Sequence, residues 1–157
     1  MLRRFASRTF STAAADGVTP TSVINFMKKQ WPDNPYDDFQ HLTFYEISGK
    51  HVLFSQNVQS YDQRPGGFIS GPSQFCMCDV GMWVAVFGAK GFNKMAMTSE
   101  MSIRYLRPAV GTKLWSRIDI NSVGSRTLVM TATQWTSDQD KPTSVAQGTY
   151  VMPKSEA

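Results

Sequence analysis

The stretch FCMCDVGMWVAVF, residues 75 to 87, has one ionisable group besides its two thiols, the carboxyl group of Asp79. It is long enough and apolar enough to form a helix that is buried on nearly every side. Such a helix must be enclosed, and a strongly curved antiparallel sheet can wrap around it. A carboxylate in the middle of this helix costs free energy unless a partner group stabilises it or a reaction uses it. The role of Asp79 is therefore the main question that this sequence raises.

The segment before this helix is the glycine-rich turn RPGGFISGP, residues 64 to 72. Ser70 has the properties of a helix N-cap, because its hydroxyl can accept a hydrogen bond from a backbone N–H group of the first turn. Pro72 suits that first turn, where its missing N–H costs nothing. The pattern predicts a helix from Ser70 to about Phe87, ended by the segment from Gly88 to Gly91.

The rest of the chain consists of strand-like runs separated by turns, with one further helix near its start. Thr19 and Pro20 favour a helix that runs to about Gln30 and is ended by Trp31 and Pro32,. The strand-like runs are 40–47, 51–58, 94–106, 112–122, 126–136 and 144–152,. The sequence therefore predicts an α+β protein with a curved antiparallel β-sheet wrapped around one long central helix and with an extra N-terminal helix.

The composition describes one ordinary globular domain. The chain has 157 residues, of which 41% are apolar and 18% are charged. No apolar run approaches the roughly 20 residues that a membrane-spanning helix needs. The low charge, the four Trp and the ten Phe leave more apolar surface than a small monomer easily hides,. We therefore expect self-association and no membrane span.

The net charge of +4 comes mostly from the first fifteen residues, which contain three Arg and no acid. Beyond them the chain has 13 basic and 12 acidic residues, so the charge gives no reason to expect nucleic-acid binding,. A basic, acid-free segment with Ser and apolar residues is typical of a mitochondrial presequence, here with cleavage near Phe10–Ser11. The alternative is a disordered basic tail. We expect a presequence at 1–15, an N-terminal helix and loop at 16–38, a main domain at 39–153, and a mitochondrial, matrix location.

Cysteines and histidines indicate no metal site. Cys76 and Cys78 lie two residues apart in the apolar helix, so their side chains point to different faces and form neither a disulfide nor half of a metal site,. We expect both to be small core residues in a reducing compartment. His41 and His51 have no Cys or His neighbour at ligand spacing,. The sequence therefore predicts no metal site.

Two motifs follow each other in this chain. The first is Gly66-Gly67-Phe68-Ile69-Ser70-Gly71-Pro72 followed by Asp79-Val80-Gly81, and the second is the run from Glu100 to Ala109, EMSIRYLRPA. In this order they resemble the hotdog-fold thioesterases of the PaaI-like branch, which hydrolyse acyl-CoA. The likeness covers about residues 39–153. The turn departs from the family's commonest His-Gly-Gly form, and Arg64 stands where many members have Asn. The resemblance implies a hotdog fold, an acyl-CoA substrate and no cofactor, since coenzyme A is part of the substrate.

The resemblance also implies roles for particular residues. Asp79 would be the nucleophile or general base, the Gly71 N–H would bind the oxyanion, and Thr98 would position water. Further substrate contacts are expected from Arg64, Gly67, Ser70, Trp83 and Ser99. These residues stand in the turn, in the long helix and at the start of the strand that follows it.

The spacing of Gly71 and Asp79 has a consequence for the oligomer. Eight residues along a helix separate two positions by about 12 Å, so one thioester carbonyl cannot contact both in a single chain. If both act, they come from different protomers, with two antiparallel helices placing each Gly71 near the partner's Asp79. We therefore expect a homodimer or a dimer of dimers.

Two other functions stay open at this point. The altered turn and the extra N-terminal helix are compatible with a catalytically inactive hotdog protein that serves as a structural subunit of a larger mitochondrial complex. A hotdog dehydratase or hydratase usually works with a His–Asp or His–Glu pair near the helix entrance. His41 and His51 lie on the early strands instead, which argues against this last alternative.

Overall fold

A computed structural model describes residues 12–32 and 39–153 of the chain. It contains two α-helices and eight β-strands, with a short 3-10 turn at Ser60–Asp62. The helices are α1 (Pro20–Gln30) and α2 (Gly71–Lys90). The strands are β1 (Leu42–Ile47), β2 (His51–Asn57), β3 (Gln63–Arg64), β4 (Phe68–Ile69), β5 (Met97–Tyr105), β6 (Lys113–Val123), β7 (Thr127–Trp135) and β8 (Ser144–Val151).

Six strands form one antiparallel sheet in the order β1-β2-β6-β7-β8-β5, and β3 pairs with β4 in a separate hairpin. The predicted strands are confirmed to within a few residues at each end. Strands β6, β7 and β8 form a meander, whereas β5 pairs with β8 at the far edge rather than with β6. Helix α2 follows the β3–β4 hairpin, leads into the edge strand β5 and contacts all six strands. The predicted α+β class, with a central helix against an antiparallel sheet, is therefore confirmed.

Helix α2 forms because its ends are well specified and its length is apolar. At its start, the Ser70 hydroxyl accepts a hydrogen bond from the Ser73 N–H. At its end, Gly91 has a φ of +83° and its N–H donates a hydrogen bond to the Phe87 carbonyl. Most of the side chains from Met77 onward are buried. The helix runs to Lys90, one turn further than the sequence pattern predicts.

Helix α2 lies very close to the sheet at positions where a side chain would not fit. A Cβ atom at Gly81 would lie 2.5 Å from the ring of Phe54, and one at Gly148 on β8 would lie 2.6 Å from the sulfur of Met82. Real Cβ atoms essentially never come so close to other heavy atoms. These two glycines therefore allow the helix and the sheet to approach each other.

The two cysteines differ in their surroundings. Cys78 is buried, as predicted, and burial raises the pKa of its thiol to about 12. Cys76 is exposed, so the prediction that both are core residues is wrong for this position. The reason is that Cys76 lies on the face of α2 that points away from the sheet. Helix α1 covers this face near Trp83 and Phe87, but not near Cys76.

Helix α1 covers the C-terminal half of α2. Thr19 caps α1 through a reciprocal pair of hydrogen bonds with Ser22, and Val23 and Met27 are buried. Phe26 contacts Trp83, and its ring centroid lies 5.3 Å from that of Phe87. The outward face of α2 is therefore covered near its end and open near its beginning.

Residues just before α1 contact the main domain. The Ala15 N–H donates to the Gly88 carbonyl at 2.8 Å, and the Gly49 N–H donates to the Ala13 carbonyl at 3.1 Å. Ala14 and Ala15 pack against the core. The predicted cleavage point near Phe10–Ser11 lies outside the described residues, as does the loop at 33–38. No helix in the described part of the chain is long and apolar enough to cross a membrane.

Removal of the segment around Ala13 and Ala15 should destabilise the fold. A chain that begins at Thr12 keeps both backbone hydrogen bonds, whereas one that begins at Asp16 loses them. At about 1 kcal/mol for each hydrogen bond, the shorter chain should have a free energy of unfolding about 2 kcal/mol lower. Urea denaturation of the two truncated proteins measures this difference, and equal midpoints would contradict it.

Candidate active site

The Asp79 side chain is half-buried on α2 and is hydrogen-bonded by two hydroxyl groups. The Thr98 hydroxyl donates to Asp79 Oδ1 at 2.6 Å. The Tyr150 hydroxyl lies 2.7 Å from the same oxygen and 2.9 Å from the backbone carbonyl oxygen of Asp79. The acid that stands alone in the sequence is therefore stabilised by donors from the sheet.

Thr98 and Tyr150 meet at Asp79 because they face each other across two neighbouring strands. Thr98 on β5 is the register partner of Tyr150 on β8, and a β-bulge follows at Ser99. Tyr150 is 3% exposed. Burial, together with the negative charge of Asp79, raises the pKa of its phenol well above the usual value. Tyr150 is therefore a neutral hydrogen-bond donor at physiological pH.

The first turn of α2 presents one free backbone donor. Pro72 has no N–H, the Ser73 N–H is bonded to Ser70 Oγ, and the Gln74 N–H is bonded to the Ser70 carbonyl. The Gly71 N–H has no hydrogen-bond partner within the described part of the chain. It stands at the positive end of the helix dipole, which suits an oxygen that becomes negatively charged.

Tyr105 is the neighbour of Gly71 on β5. Its hydroxyl donates to the Gly71 carbonyl at 2.9 Å, and a Cβ atom at Gly71 would lie 3.1 Å from that hydroxyl oxygen. The bulge at Ser99 has a consequence here. Thr98 and Tyr105 are seven residues apart, and without the bulge they would point to opposite faces of β5. With the bulge, both contact α2.

The predicted substrate contacts have different surroundings. The Ser70 hydroxyl caps the start of α2: it accepts a hydrogen bond from the Ser73 N–H and donates one to Ser73 Oγ at 2.9 Å. Ser99 is the exposed residue of the bulge. Gly67, with φ of +75°, forms the tip of the β3–β4 hairpin together with Gly66. These residues shape the site through the backbone.

Trp83 lies in a different environment from the one expected of a substrate contact. Its ring centroid is 4.5 Å from that of Phe87 and 5.4 Å from that of Trp31, in the aromatic cluster beneath α1. In the described chain it is therefore a packing residue that joins α1 to α2.

Two clefts flank the first turn of α2. One has a volume of about 510 Å³ and contains Arg64, Gly71, Gln74, Tyr105 and Arg107. The other, about 480 Å³, is mostly apolar and is lined by side chains that include Phe39, Leu42, Pro72, Met77 and Val80. The structure thus places Arg64 and Gly71 in one cleft, with an apolar cavity on the other side of the same turn.

Gly71 and Asp79 belong to one continuous helix, as the spacing argument requires. Asp79 and Thr98 are brought together, and Arg64 lies with Gly71, but these two pairs are about two helical turns apart. Tyr150 and Tyr105 also contact α2, although neither is among the residues predicted from the sequence. Each occupies an ordinary position in an alternating strand, so the residue pattern carries no signal that separates it from a packing residue. Within residues 12–32 and 39–153, no group of three His, Cys, Asp or Glu side chains could hold a metal ion.

Comparison with known proteins identifies a similar family. Residues 66–143 match the thioesterase superfamily. No curated protein matches the sequence. The match includes the turn before α2, the whole of α2 and strands β5 to β7. This part of the chain, just under half of its length, is therefore similar to the thioesterase superfamily.

Solved structures of low sequence identity have the same fold. A protein named as a thioesterase from Silicibacter is 21% identical over 87% of this chain and 93% of its own, with a TM-score of 0.75. The PaaI protein of the Escherichia coli phenylacetic acid degradation operon is 14% identical over 87% and 96%, with a TM-score of 0.68. A Streptococcus mutans protein bound to acetyl-CoA is 21% identical over 76% and 94%, with a TM-score of 0.65. These likenesses confirm the hotdog fold.

Replacement of Ser70 tests its capping role. Ser70→Ala should lower the free energy of unfolding by about 1 kcal/mol, because the first turn loses the acceptor for the Ser73 N–H. Ser70→Asn should restore most of the stability, since an Asn side chain can cap in the same way. Thermal or urea denaturation measures both variants. If Ala and Asn destabilise equally, the hydroxyl does not act as a cap.

Proposed function

We propose that this protein hydrolyses acyl-CoA thioesters in the mitochondrial matrix, as a homodimer or dimer of dimers with composite active sites. The observation that carries the proposal is the pair of groups on α2, a carboxylate held by two hydroxyls and a free N–H at the helix start. Similarity to the thioesterase superfamily supports thioester hydrolysis. The acetyl-CoA bound by the Streptococcus mutans relative supports coenzyme A thioesters as the substrate class.

In the proposed reaction the thioester carbonyl accepts a hydrogen bond from the Gly71 N–H of one protomer. Asp79 of the other protomer then acts in one of two ways. As a nucleophile, its carboxylate oxygen bonds to the carbonyl carbon, the C–S bond breaks, coenzyme A leaves as the thiolate, and water hydrolyses the acyl-aspartyl anhydride. As a general base, it takes a proton from water while the water oxygen bonds to the carbonyl carbon, and the proton passes to the coenzyme A thiolate as the C–S bond breaks. In both routes the Gly71 N–H stabilises the oxyanion.

The dimer is supported by what lies at the free edge of the sheet. Strand β5 pairs only with β8 among the described residues, and Asp79 and Gly71 both contact side chains of β5. Large apolar side chains are exposed there and on the nearby face of α2: Phe75, Met95, Met97, Tyr105 and Leu106. A second copy pairing antiparallel along β5 would cover them and bring each Gly71 toward the partner's Asp79.

The two clefts suggest how the substrate lies across the helix start. Coenzyme A carries phosphates, and Arg64 is an exposed cation in the cleft that contains Gly71. The acyl group is apolar, and the cavity on the other side of the turn is lined mostly by apolar side chains. We therefore propose that Arg64 contacts the coenzyme A portion or polarises the thioester. No metal or other cofactor takes part in the proposed reaction.

One observation favours the alternative of an inactive structural subunit in a larger mitochondrial assembly. Only one N–H of the first turn is free, because Pro72 has none and the Ser73 N–H is already bonded to the Ser70 hydroxyl. An oxyanion site with a single backbone donor is weaker than one with several. Activity measurements on the purified protein separate this alternative from the enzyme.

Replacement of Asp79 tests the enzyme. We expect Asp79→Asn to lower kcat at least about 100-fold, the scale of losing an acid–base group, with the amide preserving the shape of the side chain. Release of free thiol from acyl-CoAs of increasing chain length measures the rates. Asp119→Asn is the matched control, because Asp119 pairs with Arg117 on β6, away from α2. Equal rates for wild type and Asp79→Asn would contradict the assignment.

Mixed dimers test whether the site is composite. Gly71→Pro removes the free N–H, while Gly71→Ala keeps it and meets the same contact with Tyr105,. Mixing inactive Gly71→Pro and Asp79→Asn chains through unfolding and refolding should restore about a quarter of wild-type activity, since half of the dimers are mixed and each has one intact site. A site built within one chain would give no recovery.

A further inference from the structure

We propose that Tyr150 is a positioning residue for Asp79, which anchors one carboxylate oxygen and leaves Oδ2 as the oxygen that reacts. This role rests on the function proposed above and deepens it. Tyr150 belongs to the last strand of the sheet, far from both motifs that define the family resemblance.

The two hydroxyls at Asp79 act on the same atom. Thr98 and Tyr150 both contact Oδ1, at 2.6 and 2.7 Å, and no residue in the described part of the chain is hydrogen-bonded to Oδ2. Hydrogen bonds from two hydroxyls occupy Oδ1 and hold the plane of the carboxylate,. Oδ2 is then the oxygen available to a substrate carbon or to a water proton.

The Tyr150 hydroxyl is held rigidly because both the ring and the hydroxyl group of this residue have fixed contacts. Its ring is buried in the core, and its hydroxyl contacts the backbone carbonyl of Asp79 as well as the side chain. Gly148, two residues earlier on the same face of β8, allows this strand to approach α2 at Met82. A carboxylate held from such a frame loses little further freedom when the reaction begins.

The Tyr150 hydroxyl can remain paired in both charge states of Asp79. It has one hydrogen and two acceptors within reach, Oδ1 and the backbone carbonyl oxygen. With an ionised carboxylate the hydrogen goes to Oδ1. When the carboxyl group holds a proton, the phenol hydrogen can turn to the backbone oxygen and the phenol oxygen can accept. Proton uptake at Asp79 therefore leaves no buried polar atom without a partner.

The experiment measures kcat and KM of Tyr150→Phe and of wild type on one acyl-CoA. Loss of a hydrogen bond to a charged group should lower kcat about 10- to 100-fold, with KM changing less than about 3-fold. Tyr45→Phe is the matched control: it removes a tyrosine hydroxyl bonded to Ser55 in another part of the sheet.

A second pair of variants keeps the test valid if Tyr150→Phe does not fold. Thr98→Val removes the other donor to Oδ1 and should also lower kcat with little change in KM, and Thr98→Ser should restore it. Wild-type turnover with an unchanged kcat in Tyr150→Phe, or in Thr98→Val where that variant is needed, overturns the positioning role alone. A wild-type protein without turnover overturns the proposed function and this role with it.

Discussion

The close contact between α2 and the sheet is the constraint on which the site depends. An apolar helix must be covered, and here Gly81 and Gly148 let it lie so near the strands that side chains at these positions would collide with Phe54 and Met82. At that distance a hydroxyl on β8 can reach the helix backbone. The hydrogen bonds to Asp79 are thus a result of core packing, and a wider separation of helix and sheet would break them.

The outward face of α2 is divided between structure and site. Helix α1 and its aromatic residues cover the C-terminal half, where Trp83 and Phe87 lie. The N-terminal half stays open, with Phe75 exposed and Asp79 half-buried beside the free edge of β5. Among the described residues, α1 leaves this half of α2 accessible to a substrate or a second protomer.

Sequence patterns predicted the fold well because each element has a local signal. Ser70, Pro72 and Gly91 define the ends of α2, and alternation defines the strands. Of the candidate site residues, Asp79 and Thr98 meet in the structure, and Trp83 lies in the aromatic cluster beneath α1, while the contacts of Tyr150 and Tyr105 with α2 were not predicted. Cross-strand register and a bulge decide these contacts, and neither is a property of a short sequence window. One unpaired residue, Ser99, determines which side of β5 faces the helix.

The arrangement of donors also bears on why the proposed site would need two chains. On α2 the carboxylate and the free N–H are fixed by separate contacts with β5, through Thr98 and Tyr105. Because one rigid helix holds both groups, no change within a protomer brings them to a single carbonyl. In the proposed homodimer, a second copy related by a two-fold axis would supply each of the two sites with the missing group. The same rigidity that prevents a site within one chain would fix the positions of the reacting groups in a composite site, since each group is held by a contact with β5 of its own protomer.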